Sequence, residues 1–255
     1  MGDRMRFENK LVIITGGAGG IGRATAARFA SEGATVVIND VDDDRIADAI
    51  AALDGLPGHG VAGRADITSE REVASLVDAL VRDHGGVDIL INNAGGMLPG
   101  AKWSTVADCT LDDWNSFLAL NLTGPFLMSR AVLPSMLSRG RGHIVSVSSI
   151  SAVNGQIAGS AYAAAKAGLT GLTASLAKEV GAKGISVNGI IIGNAPFPNR
   201  DPERQRLLDS WVHLARVGDR SEFAAVIAFL CSDDASYLSG TMVPVDGGFH
   251  RFNLL

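Results

Sequence analysis

Five residues dominated by β-branched and apolar side chains, Leu11–Thr15, run directly into the segment GGAGGIGRATAARFA. A short apolar run of this kind reads as a buried strand. Gly16, Gly17, Gly19, Gly20 and Gly22 then form a turn almost without side chains. Ile21, Thr25, Phe29 and Ala30 follow at helical spacing on one face. Strand, glycine turn and helix together dictate the first half of a βαβ unit. The helix N-terminus then aims free N–H groups and the positive end of its dipole into the turn, where an anion such as a pyrophosphate fits. The same stretch matches G-x-G-x-x-G through Gly17, Gly19 and Gly22.

The alternation continues along the chain. Further strands are expected at Thr35–Asn39, Val61–Asp66, Asp88–Asn92, His143–Ser148, Ile185–Ile192 and Thr241–Val245. Val73, Leu76, Val77, Leu80 and Val81 mark a helix face. Phe117–Leu137 predicts a long apolar helix kinked or broken at Pro125 or Pro134. Ala161–Val180 predicts a second, rich in alanine and suited to close packing. Seven strands alternating with helices predict an α/β, doubly wound fold with a mainly parallel seven-stranded sheet flanked by helices. Gly193–Arg206, with three prolines, resists assignment and reads as a loop over the ligand end of the sheet.

Composition narrows the partners. The chain has 255 residues, 47% of them hydrophobic, and a net charge of −5. It carries no basic run that would neutralise phosphates, so no nucleic-acid partner is expected. Cys109 and Cys231 make no disulfide framework, and the five histidines show no metal-ligand spacing. The start, MGDRMRFENK, lacks the apolar core of a secretory signal, and no uninterrupted apolar stretch reaches the roughly 18 residues of a membrane span. These features predict a cytoplasmic protein without metal or membrane attachment.

Several residues then gather around the glycine turn. Asp40 ends the second strand near the offset of about 20 residues expected for a carboxylate on a ribose. It favours NAD, since it would repel the extra phosphate of NADP, and Asp42, Asp43 and Asp44 after Val41 add to that charge. Asp66 and Ile67, at the end of the third strand, are candidates for the adenine edge. Asn93, Ala94 and Gly95 follow the fourth strand, with Asn92 expected to fix their turn by bonding nearby backbone. Tyr162 and Lys166, four apart on a helix, share a face. A free phenol is a poor base at neutral pH, and a nearby ammonium lowers its pKa. Ser149, at a strand end, is placed to bond a substrate oxygen.

Thr15-Gly16-x-x-x-Gly20-Ile21-Gly22, Asn92-Asn93-Ala94-Gly95, Ser149, Tyr162-x-x-x-Lys166 and Asp246-Gly247-Gly248 resemble, in order and spacing, the short-chain dehydrogenase/reductase family. The resemblance covers nearly all of residues 7–250. It implies a Rossmann-type fold, a nicotinamide cofactor and interconversion of alcohol and carbonyl. It makes Tyr162 the acid/base. Lys166 becomes the group that holds the nicotinamide ribose, and Ser149 the one that positions the substrate oxygen. Asn121 matches the family's helix-kink asparagine, which holds a water linking Lys166 to solvent. It also implies a homotetramer, or a homodimer, joined through the long helices. On this reading residues 1–6 are a tail and 7–255 one dinucleotide-binding catalytic domain with a substrate loop at about 193–215. Met97, Ser151, Asn154, Gln156, Ala195 and Phe197 are candidate pocket residues for a small-molecule secondary alcohol or ketone. The family's Pro-Gly after the sixth strand is Ile192-Gly193 here, and Phe197 stands where the family has a threonine. A non-catalytic NAD(H) sensor is the alternative, and an epimerase or dehydratase a further one.

Overall fold

The computed structural model describes residues 5–196 and 201–249, except the side chains of Pro202, Arg204 and Gln205. Its seven strands are β1 (Leu11–Thr15), β2 (Thr35–Asn39), β3 (His59–Ala62), β4 (Ile89–Asn92), β5 (Gly142–Ser149), β6 (Ile185–Ile192) and β7 (Met242–Val245). They form one sheet in the order β3-β2-β1-β4-β5-β6-β7, and every pairing is parallel. The sheet is thus wholly rather than mainly parallel.

Strand periodicity splits the core into two layers. Val12 and Ile14 face one side with Val36, Ile38 and Ile91, under Phe29 of α1 (Gly20–Ser31) and, from a helix near the C-terminus, Phe223 and Ile227. Leu11 and Ile13 face the other with Val37, Leu90 and Val187. That side is covered by α3 (Glu70–His84) through Val73, Val77 and Leu80. The order of strands reverses between β1 and β4, so the crevice beyond Thr15 and Asn92 is the switch point where such sheets bind ligands.

Some elements differ from the sequence reading. The third strand ends at Ala62, short of Asp66, so Asp66 and Ile67 lie in the connection to α3. It is an edge strand whose end residues His59 and Ala62 are exposed and whose middle, Gly60 and Val61, is half-buried, so its apolar pattern is weak. The expected long helix is divided into α4 (Leu111–Leu118), a wide π turn over Ala119–Thr123, and α5 (Gly124–Arg139). Pro125, which has no N–H to give, sits in the first turn of α5, while Pro134 stays inside it. The whole run Leu111–Arg139 passes for a membrane span by length and hydropathy alone. Yet Phe117, Leu127, Met128, Val132 and Met136 on it are buried in this domain's core. The Asp42–Asp44 run starts α2 (Asp43–Ala51): Asp42 caps it by accepting from the Arg45 N–H, and Asp43 and Asp44 occupy the first turn. Within the segment read as a loop, Pro202–Ser210 forms a helix; Phe197 and Arg200 lie outside the described residues.

The remaining helices are α6 (Ser151–Asn154), α7 (Ser160–Val180), α8 (Pro202–Ser210) and α9 (Arg220–Leu230).

Candidate active site

The glycine turn is held by contacts that leave no space for side chains. Gly16 sits at φ 59°, a left-handed conformation that a glycine accepts without strain. A Cβ on Gly22 would lie 2.3 Å from the Gly16 carbonyl oxygen and 2.8 Å from Gly17 Cα. Gly20, Ile21 and Gly22 open α1, and Gly19 precedes it as N-cap without any side-chain cap, which leaves the N-terminal N–H groups for a ligand.

Thr15 and Asn93 join this turn to the end of β4. The Thr15 hydroxyl accepts from Asn93 N–H and Ala94 N–H, each at 3.0 Å. Asn93 Nδ2 donates to the Thr15 carbonyl at 2.8 Å and the Gly16 carbonyl at 3.1 Å. Asn92 does not fix this turn as expected. Its side chain points away, buried, with Nδ2 donating to Ser129 Oγ on α5. Alternation along a strand sends neighbours to opposite faces, and Asn93 is the one on the ligand side.

Asp40 follows β2, with Oδ1 accepting from the Val41 N–H at 2.9 Å and lying 3.7 Å from Arg45 Nη1. No hydrogen bond to Oδ2 forms among the described residues, so that oxygen is available to ribose hydroxyls. The Val41 side chain is exposed. Asp66 is occupied otherwise: its Oδ1 accepts from Thr68 N–H and Thr68 Oγ1, shaping the turn into α3. Ile67 is buried against Gly124, where a Cβ would stand 2.6 Å from its Cδ1. As with Asp40, no hydrogen bond to Asp66 Oδ2 forms among the described residues.

The proton-transfer groups lie where β5 and α7 meet. Ser149 closes β5, and one helical turn carries Tyr162 and Lys166. Lys166 is buried, with Nζ donating to the Val147 carbonyl at 2.9 Å and standing 5.9 Å from the Tyr162 ring centroid. Burial pushes its ammonium down to about 8. The Tyr162 phenol is displaced upward, because burial outweighs a hydrogen bond from Ser149. In the chain alone, burial is the larger influence on the phenol. Ser149 Oγ is 3.3 Å from Ser151 Oγ, which donates to Gln156 Oε1 at 2.9 Å. A hydroxyl has one proton and rotates, so Ser149 serves either Ser151 or the phenol.

Asn121 lies in the π turn and is fully buried. Its Oδ1 accepts from Gly96 N–H at 2.9 Å, and its Nδ2 donates to the carbonyls of Gly96 and Phe117 at 2.8 and 2.9 Å. The side chain thus clamps the loop after β4 and braces the widened turn. A Cβ on Gly95 would sit 2.8 Å from Lys166 Nζ and 2.9 Å from Asn121 Oδ1, so only a glycine lets that backbone pass.

Of the pocket candidates, Ser151 and Gln156 are bonded beside Ser149, and Met97 and Asn154 are exposed. Ala195 packs partly into the core. Trp103 meets the Tyr162 ring edge-on at 5.5 Å, and its loop is bridged to α7's entry through Ser104 and Gly159. Arg220 is a residue the sequence did not single out; it lies against Gly20. Nothing local marks it, because the contact spans most of the chain.

The crevice, the glycine cradle and the buried lysine beside a phenol define a dinucleotide-dependent oxidoreductase. Residues 16–250 match the family described as Enoyl-(Acyl carrier protein) reductase. The chain is 36% identical over 247 residues to 3-oxoacyl-[acyl-carrier-protein] reductase FabG of Thermotoga maritima, covering 96% of this chain and 99% of that protein. It is 38% identical over 256 residues to levodione reductase of Leifsonia aquatica, covering 95% of each. With 7alpha-hydroxysteroid dehydrogenase of Escherichia coli K12 it shares 36% over 250 residues, 96% of each. The crystal structure of levodione reductase superposes with a TM-score of 0.89 at 35% identity, over 97% of this chain and 100% of that one. The chain belongs to the short-chain dehydrogenase/reductase family, whose members use a nicotinamide cofactor.

Proposed function

We propose that the protein transfers hydride between NAD(H) and a secondary alcohol or ketone, with Tyr162 as the acid/base. The observation that carries this reading is Lys166 set against Gly95, next to the Ala94 that touches the glycine cradle, with Tyr162 one helical turn before it on α7 and Ser149 beside the phenol. The cradle fits a dinucleotide: a Cβ would fill it at Gly22, and the N-cap of α1 leaves its N–H groups unspent. Gly16, Gly19, Gly20, Ile21 and Gly22 would hold the pyrophosphate, Asp40 the adenosine ribose, and Asn93, Ala94 and Gly95 the nicotinamide side. Lys166 would hold the nicotinamide ribose. When bound, the nicotinamide accepts or returns the hydride.

The chain's own work is proton handling and positioning. Ser149 donates to the substrate oxygen and sets it against the phenol. Tyr162, held protonated by burial, gives its proton to a ketone; in the reverse direction it must lose that proton first. Lys166, with its charge beside the phenol, favours the ionised form as the substrate arrives. Asn121 keeps the Gly95–Gly96 backbone in place while this happens.

Asp40 Oδ2 supports NAD over NADP. The aromatic wall of Trp103 and Phe117 around Tyr162 supports a medium-sized apolar substrate, in keeping with relatives named for levodione and a hydroxysteroid. Residues 7–255 would act as one catalytic unit. Two free cysteines support a cytoplasmic setting, and exposed Leu111, Phe126 and Leu137 on α4 and α5 support a homotetramer or homodimer.

The test follows reduced-nicotinamide absorbance over a panel of secondary alcohols and ketones. Tyr162→Phe should lose turnover by orders of magnitude while still binding NADH; unchanged turnover would overturn the assignment. Tighter binding of NADPH than of NADH would overturn the Asp40 argument.

A further inference from the structure

We propose that Arg220 is an additional binding group for the cofactor's pyrophosphate, a guanidinium brought onto the glycine turn from the far end of the chain. The inference rests on the cofactor reading above and adds a residue to it.

Arg220 is the first residue of α9, and α9 packs on α1. Its guanidinium lies over the Gly20 backbone: a Cβ there would stand 2.7 Å from Nε, 2.9 Å from Cζ and 3.2 Å from Nη2. The group carries five N–H donors. Its one hydrogen bond among the described residues is a long one, 3.3 Å from Nη2 to the Pro196 carbonyl. The nearby carboxylates make their hydrogen bonds elsewhere, with Asp219 close enough for its charge to act on Arg220 but not bonded to it. Asp219 accepts from Ser221 N–H and Oγ, and Glu222 pairs with Arg216. No carboxylate makes an ion pair with Arg220 among the described residues.

The placement is electrostatically adverse for the chain alone. A cation at a helix N-terminus meets the positive end of the dipole. The Arg220 guanidinium rests against the first residue of α1, so that helix end faces it, while the N-terminus of α9 is capped by Asp219 and Glu222. An anion in the turn reverses the sign of this arrangement. The α1 N-terminus and an under-bonded, half-buried guanidinium then converge on it, and arginine matches phosphate oxygens through parallel N–H bonds. The bond to Pro196 gives the residue a second consequence. Arg220 thereby joins the glycine turn to the chain that follows β6.

The experiment titrates parent, Arg220→Ala, Arg220→Gln and Arg220→Lys with NADH by fluorescence and with ADP-ribose by calorimetry. ADP-ribose carries the pyrophosphate without the nicotinamide. Arg220→Ala should weaken both ligands by a similar factor, about tenfold or more, and Arg220→Lys by less. Arg220→Gln keeps a donor for Pro196 and loses the charge. It should weaken both ligands as alanine does, and make ADP-ribose affinity fall less steeply with salt, a change a packing role does not produce. Should the alanine variant fail to fold, the glutamine variant reads the same loss. If the parent binds both ligands and Arg220→Gln binds them within twofold of it, with an unchanged salt slope, this inference is overturned alone. A parent that binds neither ligand overturns the cofactor reading, and this inference with it.

Discussion

Lys166 and Tyr162 pay for their burial in opposite protonation states. The ammonium is pushed down to about 8 and the phenol upward, each because water is excluded from its charged form. For Lys166 the folded pKa lies below the unfolded 10.5, so between about pH 8 and 10.5 the unfolded chain binds more protons. Stability contributed by this residue therefore rises with pH across that window, by about 2 kcal/mol from pH 8 to 10. Burial also raises the Cys231 thiol, which acts with the opposite sign as its unfolded pKa of 9.0 is passed, and Tyr162 does the same above 10. Comparison with Lys166→Met separates the lysine, since both proteins keep Cys231 and Tyr162. Urea unfolding should show the parent gaining on the methionine variant between pH 8 and 10; parallel curves would mean that Lys166 is not held in this environment. The sequence spacing revealed that the two side chains share a helix face. It did not reveal which way burial moves the phenol, because that depends on Trp103 and Phe117, which come from other parts of the chain.

At the scale of elements, the turn between β1 and α1 was readable because its chemistry is local. Strand, glycines and helix stand in sequence order, and each residue's role follows from its neighbours. The same cannot be said of the π turn at Ala119–Thr123. Asn121 bonds Gly96, which lies 25 residues away; the family resemblance marked Asn121 at a helix kink, while the local pattern marked only the prolines that follow. The third strand was set to end at Asp66, past its actual end at Ala62, because an edge strand gives little periodic signal. The glycine turn yields a clean prediction. In Gly22→Ala the new Cβ meets backbone at 2.3 and 2.8 Å, atoms that cannot swing aside. The variant should lose about 1–3 kcal/mol through overpacking, and also NADH affinity, since α1 must back away from the cradle. Gly85→Ala is the control. Gly85 ends α3 at φ 78° with nothing within 4 Å of its would-be Cβ. It should cost about 1 kcal/mol of backbone strain and leave NADH binding intact. Equal binding by both variants would show that Gly22 does not shape the site.

For the whole molecule, the strand order places ligand groups and structural charges at opposite ends of one sheet. Every strand is parallel, so all carboxyl ends lie together, and Thr15, Asp40, Asn93 and Ser149 gather there from separate segments. That is why a pattern of strands in sequence was enough to predict where a site would form. Which distant residues would also arrive, Arg220 among them, depends on how the helices pack, and no short motif encodes it. The amino ends are tied by Asp88. Buried just before β4, it accepts from the Leu11 N–H of β1 at 3.0 Å and from Arg139 Nη1 of α5 at 2.7 Å, while its carbonyl accepts from His143 N–H of β5. Arg139 also donates to the Val87 carbonyl. Asp88→Ala would leave a backbone N–H and a partly buried guanidinium without their acceptor. The expected loss is about 3 kcal/mol in urea unfolding, with the part-exposed Arg139 keeping it from being larger. NADH affinity should stay within twofold of the parent where the variant is folded, because the rigid strands hold the cradle at their other end. A large fall in affinity would show that the two ends of the sheet are coupled.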